Sequence, residues 1–161
     1  MSDYKPQLKS AIIKYMSNIF SSFDIRGRLE DSLTPEYAWN VGKAFSDWLP
    51  EDGFIVVVSE QTAEPKIVNA VIEGIRLQGR AVMNGGQGGS ERLIQLLANN
   101  RAAGSILVSH DGVQGLEIIQ LYQEDGIAIS SDTGLIEISE LVDAGNFVPA
   151  AVKGDVIDAT A

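Results

Sequence analysis

Residues 104–116, with the sequence GSILVSHDGVQGL, are the stretch around which the fold is predicted. The stretch begins with an apolar run that is typical of a buried strand, and it continues into a polar turn. The turn carries Ser109 and His110, and His110 is the only histidine of the chain. Because α/β proteins place functional residues where strands pass into loops, this turn is the first candidate for a functional site.

The composition predicts one globular domain, spanning residues 1–161, with a substantial hydrophobic core. Hydrophobic residues make up 45% of the chain, and the formal net charge is −10. A negative field repels nucleic acids and anionic membranes, so we expect neither as a partner. The same field repels a phosphorylated substrate unless cations are concentrated near its binding site.

The absence of cysteine excludes disulfides, a thiolate nucleophile and a cysteine-ligated metal site. With a single histidine, any metal ion would have to be a hard cation bound by carboxylate or phosphate oxygens. The N-terminus lacks the core of a signal peptide, and no apolar run approaches the ~20 residues of a membrane span. We therefore predict a soluble, cytoplasmic protein.

Residues 6–20 are predicted to form an amphipathic helix, because apolar residues recur there at spacings of three and four. The apolar stripe consists of Leu8, Ile12, Met16 and Ile19, and Lys9, Lys14 and Ser17 lie on the other side. Such a stripe is typical of a core or an interface rather than of a chemical site. It is one candidate surface for self-association.

Strands and helices are predicted to alternate after this segment. Thr34 and Pro35 begin a helix that Pro50 ends, since threonine caps helices and proline suits the first helical position. The next predicted elements are strand 54–58, helix 65–77, strand 80–84, helix 91–100 with Ser90 as N-cap, and strand 105–108. This order implies right-handed crossovers and a mainly parallel sheet.

The last part of the chain is predicted to differ. Residues 116–123 and 127–130 flank an Asp-Gly turn, which favours a hairpin. A helix over residues 134–144 is closed by Gly145, and residues 147–161 are expected to be a tail or linker. The predicted fold is a three-layer α/β/α sandwich with a mixed, mainly parallel sheet of about four strands.

Two motifs resemble the N-terminal domain of the α-D-phosphohexomutases, the family of phosphomannomutase and phosphoglucomutase. Residues 23–27 read FDIRG, and residues 33–36 read LTPE before a helix. The family opens on Tyr-Asp-Ile-Arg-Gly, followed by Leu-Thr-Pro. Its later Thr-Ala/Gly-Ser-His-Asn-Pro loop is similar to the segment holding Ser109 and His110. The resemblance covers about residues 19–146.

The resemblance implies a phosphosugar mutase, in which a serine carries the phosphoryl group between positions of the sugar. Ser109 would be that carrier, His110 its neighbour in the loop, and Arg26 a contact of the phosphoserine loop or substrate. Magnesium would be bound by the serine phosphate and by three aspartates of the second domain. This chain would therefore contribute no metal ligand besides phosphorylated Ser109.

Several positions depart from the family pattern. The loop Gly-Arg-Asp-x-Arg reads SEQTA at residues 59–63, so both arginines are lost. Asn-Pro after Ser-His is replaced by Asp111 and Gly112, and Glu117 occupies the position of the lysine in Asn-Gly-x-Lys. The resemblance extends to the first domain alone. These changes reverse charges where a phosphosugar should be attracted.

The motif residues also have simpler interpretations. Ser109 and His110 could end a strand, with hydroxyl and imidazole bonded to loop backbone. Adjacent strand residues point to opposite faces, so we do not expect His110 to activate Ser109. Asp24 and Arg26 could form an internal ion pair.

The glycine run GGQGG at residues 85–89 lies between a predicted strand and a predicted helix start. Backbone amides in such a position can bind an anion, with Gly86, Gly88 and Ser90 as the candidate groups. The run matches neither common phosphate-binding motif. A flexible turn that replaces a substrate-facing segment is the alternative, and we favour it.

We predict a stand-alone relative of the phosphohexomutase first domain that is not an enzyme by itself. It would act as a binding or assembly module, either with itself or with a partner protein. The alternative is a fragment, or a subunit completed in trans, of a phosphosugar mutase with Ser109 as phosphoryl carrier. That alternative requires magnesium and a phosphosugar; otherwise no cofactor is expected.

Overall fold

A computed structural model describes residues 20–159. The strands of this part are β1 (Ile25–Gly27), β2 (Ile55–Ser59), β3 (Val82–Gln87), β4 (Gly104–Asp111), β5 (Leu116–Gln123) and β6 (Val156–Asp158). The helices are α1 (Pro35–Trp48), α2 (Pro65–Leu77), α3 (Ser90–Asn99) and α4 (Ile136–Ala144), and a π-helical turn precedes α4. The helix predicted over residues 6–20 lies outside the described residues except for Phe20, which forms a β-bridge to Ile25.

The described strands form one mixed sheet in the order β1-β5-β4-β2-β3-β6. Strands β4, β2, β3 and β6 run parallel to one another, whereas β5 is antiparallel to both β1 and β4. The predicted α/β/α architecture with a mixed sheet is confirmed, with six described strands instead of about four. The additional strands, β1 and β6, are three residues each and depend on pairing with β5 and β3.

The helix boundaries follow from local signals in the sequence. Thr34 caps α1 as predicted, because its side chain accepts a hydrogen bond of 3.2 Å from the Tyr37 amide. Pro35 occupies the first helical position, where its missing N–H costs nothing. Helix α2 spans the predicted residues, and Gly145 ends α4 in the left-handed conformation with φ 64°.

Two strands extend beyond the apolar runs that predict them. Strand β3 continues into the glycine run because Val58 pairs with Gly86 across a bulge in the sheet. Strand β4 continues to Asp111, so Ser109 and His110 lie within a strand and not in the loop after it. The prediction that the strand ends at Val108 is therefore wrong. Backbone pairing with β5 extends β4 to Asp111, although the side chains at its end are polar.

The hairpin predicted around the Asp-Gly turn is also corrected. The turn itself forms, with Gly126 at φ +83° donating a 2.9 Å hydrogen bond to the Gln123 carbonyl. Residues 127–130, however, form no strand and join β5 through one isolated bridge between Tyr122 and Ala128. The long antiparallel pairing instead joins β5 to β4 around residues 112–115.

The two faces of the sheet are covered unequally. Helices α1, α2 and α4 pack on one face, here called the helix-rich face, over a core that includes Phe45 and Ile106. The other face, here called the α3 face, carries a smaller cluster around Leu93 and Leu107. Helix α3 contacts β2, β3 and β4 on this second face.

Two glycines allow α1 and α2 to approach closely. A Cβ atom at Gly74 would overlap the Trp39 carbonyl oxygen, and one at Gly42 would overlap the Val71 carbonyl oxygen. The blocking atoms belong to helix backbone, which cannot rotate away as a side chain can. Both helices therefore have to separate if either position gains a side chain.

We expect Gly74→Ala to lower the free energy of unfolding by about 1–3 kcal/mol, as overpacked core substitutions do. Gly112→Ala is the matched control, because a Cβ atom there meets nothing within 4 Å. Urea unfolding followed by circular dichroism measures the difference. Equal midpoints for the two variants would show that the helices do not depend on this close contact.

Candidate functional site

Ser109 points to the α3 face near the carboxyl end of β4. Val108 belongs to the core of the helix-rich face, so the next residue faces the opposite side. Ser109 pairs with Ile118 of β5, and Ile118 pairs with Arg26 of β1, so these residues share one row across the sheet. Ser109 is 8% exposed. Its hydroxyl makes no hydrogen bond to another residue of the described part of the chain, so the expected bond to loop backbone is not found.

His110 lies on the helix-rich face and is bonded to a carboxylate. Its Nδ1 is 2.7 Å from Oε2 of Glu117, which is its direct partner on β5. The expectation that the imidazole bonds to loop backbone is therefore wrong. The register confirms the prediction that Ser109 and His110 face opposite sides of the sheet.

Glu117 is the residue whose role sequence reasoning missed. Its side chain is 5% exposed, and Oε1 is buried without a hydrogen-bond partner among the described residues. A buried carboxylate needs a charged or hydrogen-bonding partner to offset its desolvation, and His110 supplies one. Glu117 therefore links β5 to β4 through His110. The sequence signal that could have indicated this contact is a polar residue, Glu117, at the position opposite His110 in a hairpin.

Asp24 and Arg26 form the predicted ion pair. Arg26 Nε lies 2.9 Å from Asp24 Oδ1, and Nη2 lies 2.5 Å from Oδ2, while the Ser21 hydroxyl donates to Oδ1 at 2.7 Å. Burial acts to raise the pKa of Asp24. The hydrogen bonds from Arg26 and Ser21, together with the Arg26 charge, outweigh burial and leave that pKa below its ordinary value.

The charges around this row are mostly negative. The hydrogen bond to Asp24 is the main cause that raises the pKa of Arg26, and the charges of Asp24 and Asp111 add to it. Burial raises the pKa of Tyr122, and the negative charges of Asp24 and Glu60 raise it further. Asp24 and Asp111 therefore act on Arg26, and Asp24 and Glu60 act on Tyr122.

Two of the candidate donors in the glycine run already have hydrogen-bond acceptors within the protein. The Gly86 amide donates to Asn84 Oδ1 at 3.1 Å, and the Gly88 amide donates to the Ser59 carbonyl at 2.9 Å. Gly89, not Ser90, is the N-cap of α3, and it provides no side-chain hydrogen bond. Anion binding by Gly86, Gly88 and Ser90 stays a prediction, with fewer free donors than the sequence indicates.

No group of three or more histidine, aspartate or glutamate side chains within residues 20–159 could hold a metal ion. In the same range no helix is long and apolar enough to cross a membrane.

The comparisons with known proteins give the same family as the motifs. A family model described as phosphoglucomutase/phosphomannomutase, alpha/beta/alpha domain I, matches residues 17–148. The chain belongs to this family. The row through Ser109 and Arg26 therefore lies in a phosphohexomutase domain I.

Two of the similar proteins are longer than this chain. Phosphohexose mutases of Xanthomonas campestris pv. campestris are 31% identical over 147 residues, which is 88% of this chain and 33% of the relative. A phosphomannomutase of Salmonella montevideo is 29% identical over 138 residues, 83% of this chain and 30% of the relative. The chain spans about a third of the length of these relatives.

Solved structures share the fold. A phosphoglucomutase/phosphomannomutase family protein from Burkholderia thailandensis matches 88% of this chain and 32% of its own, with a TM-score of 0.66 and 21% identity. The phosphoglucomutase parafusin from Paramecium matches 83% of this chain and 26% of its own, with a TM-score of 0.56 and 13% identity. At these identities the similarity shows the fold alone.

We expect Asp24→Asn to lower the free energy of unfolding by roughly 1–3 kcal/mol near neutral pH, since it weakens a charged hydrogen-bond pair. The pKa of Asp24 is lowered on folding, so its contribution is present above the ordinary carboxyl pKa of about 3.9. It is lost as the pH falls through the folded pKa. The difference should therefore shrink in acid.

Asp143→Asn is the control for this prediction, because Asp143 is exposed on α4. Urea unfolding of both variants over a pH series measures the effect. A cost for Asp24→Asn that is independent of pH would contradict the ion-pair account.

We expect Glu117→Lys to destabilise the fold by about 3–5 kcal/mol, because it buries a cation beside His110. Glu117→Gln keeps a hydrogen-bond acceptor for His110 and should cost about 1 kcal/mol. Thermal unfolding and the His110 imidazole NMR signals measure stability and contact. Equal stability of the two variants would show that the charge of Glu117 has no structural role.

Proposed function

We propose that this phosphohexomutase domain I does not carry out mutase chemistry by itself and acts as a binding or assembly module. The observation that carries the proposal is the charge around Ser109. A serine that accepts a phosphoryl group needs cations or donors to stabilise the developing negative charge. Here the cation in the Ser109 row is Arg26, and the carboxylates of Asp24 and Asp111 already act on it.

The one arginine in the Ser109 row is already engaged. Arg26 holds Asp24 through two hydrogen bonds in a fork geometry, which is the geometry it would use for a phosphate. Binding a phosphate would require Arg26 to leave that partner or to share its remaining donors. The contacts of Arg26 therefore support a structural role more than an anion-binding role.

A further feature supports the proposal. The resemblance matches Glu117 with a lysine of the family pattern, and Glu117 is buried against His110. A partner protein or a second copy is the expected ligand of the module, and we propose a cytoplasmic location.

Phosphoryl transfer to Ser109 tests the proposal directly. The purified chain is incubated with glucose 1,6-bisphosphate and magnesium, and its intact mass is measured. We expect no mass gain. Ser109→Ala and Ser139→Ala are the matched variants, since Ser139 is another buried serine that lies on α4.

One observation favours the alternative, in which the chain is part of a mutase completed in trans. Ser109 and Arg26 share one row and one face of the sheet, as a phosphoserine and its cation would require. A gain of one phosphoryl group that Ser109→Ala abolishes and Ser139→Ala retains would support this alternative. The same result would overturn the non-catalytic proposal.

A further inference from the structure

Three pockets adjoin one another at the end of the sheet where the parallel strands begin, which is the end opposite Ser109. A pocket of about 310 Å³ and a pocket of about 370 Å³ share Glu51, Ala103 and Glu124 among their lining residues. A third pocket, of about 560 Å³, shares Asp52 with the second. Together the three pockets are here called the amino-end groove.

The first pocket of the groove has apolar walls. These walls are formed by Trp48, Leu49, Pro50 and Ala103. The Trp48 ring is fixed in place, because it stacks on Phe45 with a centroid distance of 6.4 Å and its Nε1 donates to Glu137 Oε2 at 2.9 Å. A preformed pocket with an aromatic wall can hold an aromatic side chain of a partner, and such buried anchors dominate the affinity of protein interfaces.

The loop of residues 50–53 lines all three pockets and is held by Arg80. Nη1 of Arg80 donates to the carbonyl oxygens of Glu51 and Gly53 at 2.9 and 2.8 Å. Nε and Nη2 donate to the hydroxyl and carbonyl oxygens of Ser46 at 3.1 and 2.7 Å. Because these bonds fix the loop in the free protein, a ligand of the groove does not have to order it.

The carboxylates of the groove lack cationic partners. They belong to Asp47, Glu51, Asp52 and Glu124. None of them forms an ion pair within residues 20–159. Arg101 and Arg80 also line the groove, but Arg80 is bound to oxygen atoms of Ser46, Glu51 and Gly53. The groove is therefore acidic and complements a ligand with positive charge.

The shape and the charge of the groove together favour a segment of a protein as its ligand. A small polyamine has the charge but no bulky apolar group for the pocket beside Trp48. A second copy of this chain would bring a net charge of −10 to an acidic groove, and like charges repel. A peptide segment with lysines or arginines around one aromatic residue matches both the apolar pocket and the carboxylates.

We propose that the amino-end groove binds a basic segment of a partner protein. An aromatic side chain of the segment enters the Trp48 pocket, and its lysines or arginines face Glu51, Asp52 and Glu124. This contact rests on the proposed binding role and names the chemistry of the partner. The start of β4 is roughly 17 Å from Ser109, so a phosphate on Ser109 and a peptide in the groove are measured independently.

Titration of the nitrogen-15-labelled full chain with the synthetic peptide Lys-Lys-Phe-Arg-Lys tests the proposal. We expect saturable NMR shifts of the backbone amides of residues 49–53, 101–103 and 123–125. The peptide Lys-Lys-Gly-Arg-Lys lacks the aromatic anchor and should bind about tenfold more weakly. The acidic peptide Glu-Glu-Phe-Glu-Glu should leave these amides unshifted.

Two triple variants with the same change in charge locate the binding site. Glu51→Gln with Asp52→Asn and Glu124→Gln removes exposed carboxylates of the groove and should weaken the binding of Lys-Lys-Phe-Arg-Lys about tenfold. The matched control is Glu91→Gln with Glu140→Gln and Asp143→Asn, three exposed acids on α3 and α4, and it should bind like the unmodified chain. Equal affinities of the two variants would show that the net charge alone attracts the peptide, and the proposal would fail.

Three other results would overturn the proposal. One is the absence of saturable shifts at the groove with Lys-Lys-Phe-Arg-Lys. Another is an equal effect of spermidine on the same amides, which would show that a small cation suffices. The third is a dependence of these amides on protein concentration without any peptide, which would show that a second copy occupies the groove. Phosphorylation of Ser109 would overturn the proposed non-catalytic role and leave these expectations for the groove unchanged.

Discussion

The pairing of β4 with β5 is the constraint on which the rest of the site depends. Its register places Ser109 opposite Ile118 and His110 opposite Glu117. Because side chains alternate between faces, a slip by one residue would exchange Ser109 and His110 between the α3 face and the helix-rich face. The hydrogen bond between His110 and Glu117 is a specific polar contact between β4 and β5 that fits this register.

The polar residues that suggest chemistry are largely used inside the domain. Asp24 holds Arg26, and Glu117 holds His110, so two potential cations already have carboxylate partners. What remains near Ser109 is a partly open, acidic surface. That arrangement is suited to a ligand with positive charge and apolar groups, and it differs from the cationic environment that phosphoryl transfer requires.

Elements with strong local signals could be predicted, and elements that depend on a partner could not. Helix α1 has a capping threonine and a first-turn proline, and α2 has a continuous apolar face, so both follow from neighbouring residues. Strands β1 and β6 are too short for a periodic pattern and exist because β5 and β3 offer unpaired backbone. The continuation of β4 through Ser109 and His110 likewise depends on β5, because polar side chains at those positions favour a loop when the sequence is read alone.

The sequence by itself determined the family, the alternation of strands and helices, and the opposite orientation of Ser109 and His110, which follows from the two-residue repeat of a strand. Through the resemblance it also predicted the loss of arginines and an acidic residue in place of a lysine. Only the tertiary structure decided that Glu117 would be bound to His110, and that Asp24, Glu60 and Tyr122 would gather on one face. Those residues are far apart in the chain, and the order and register of the strands bring them together.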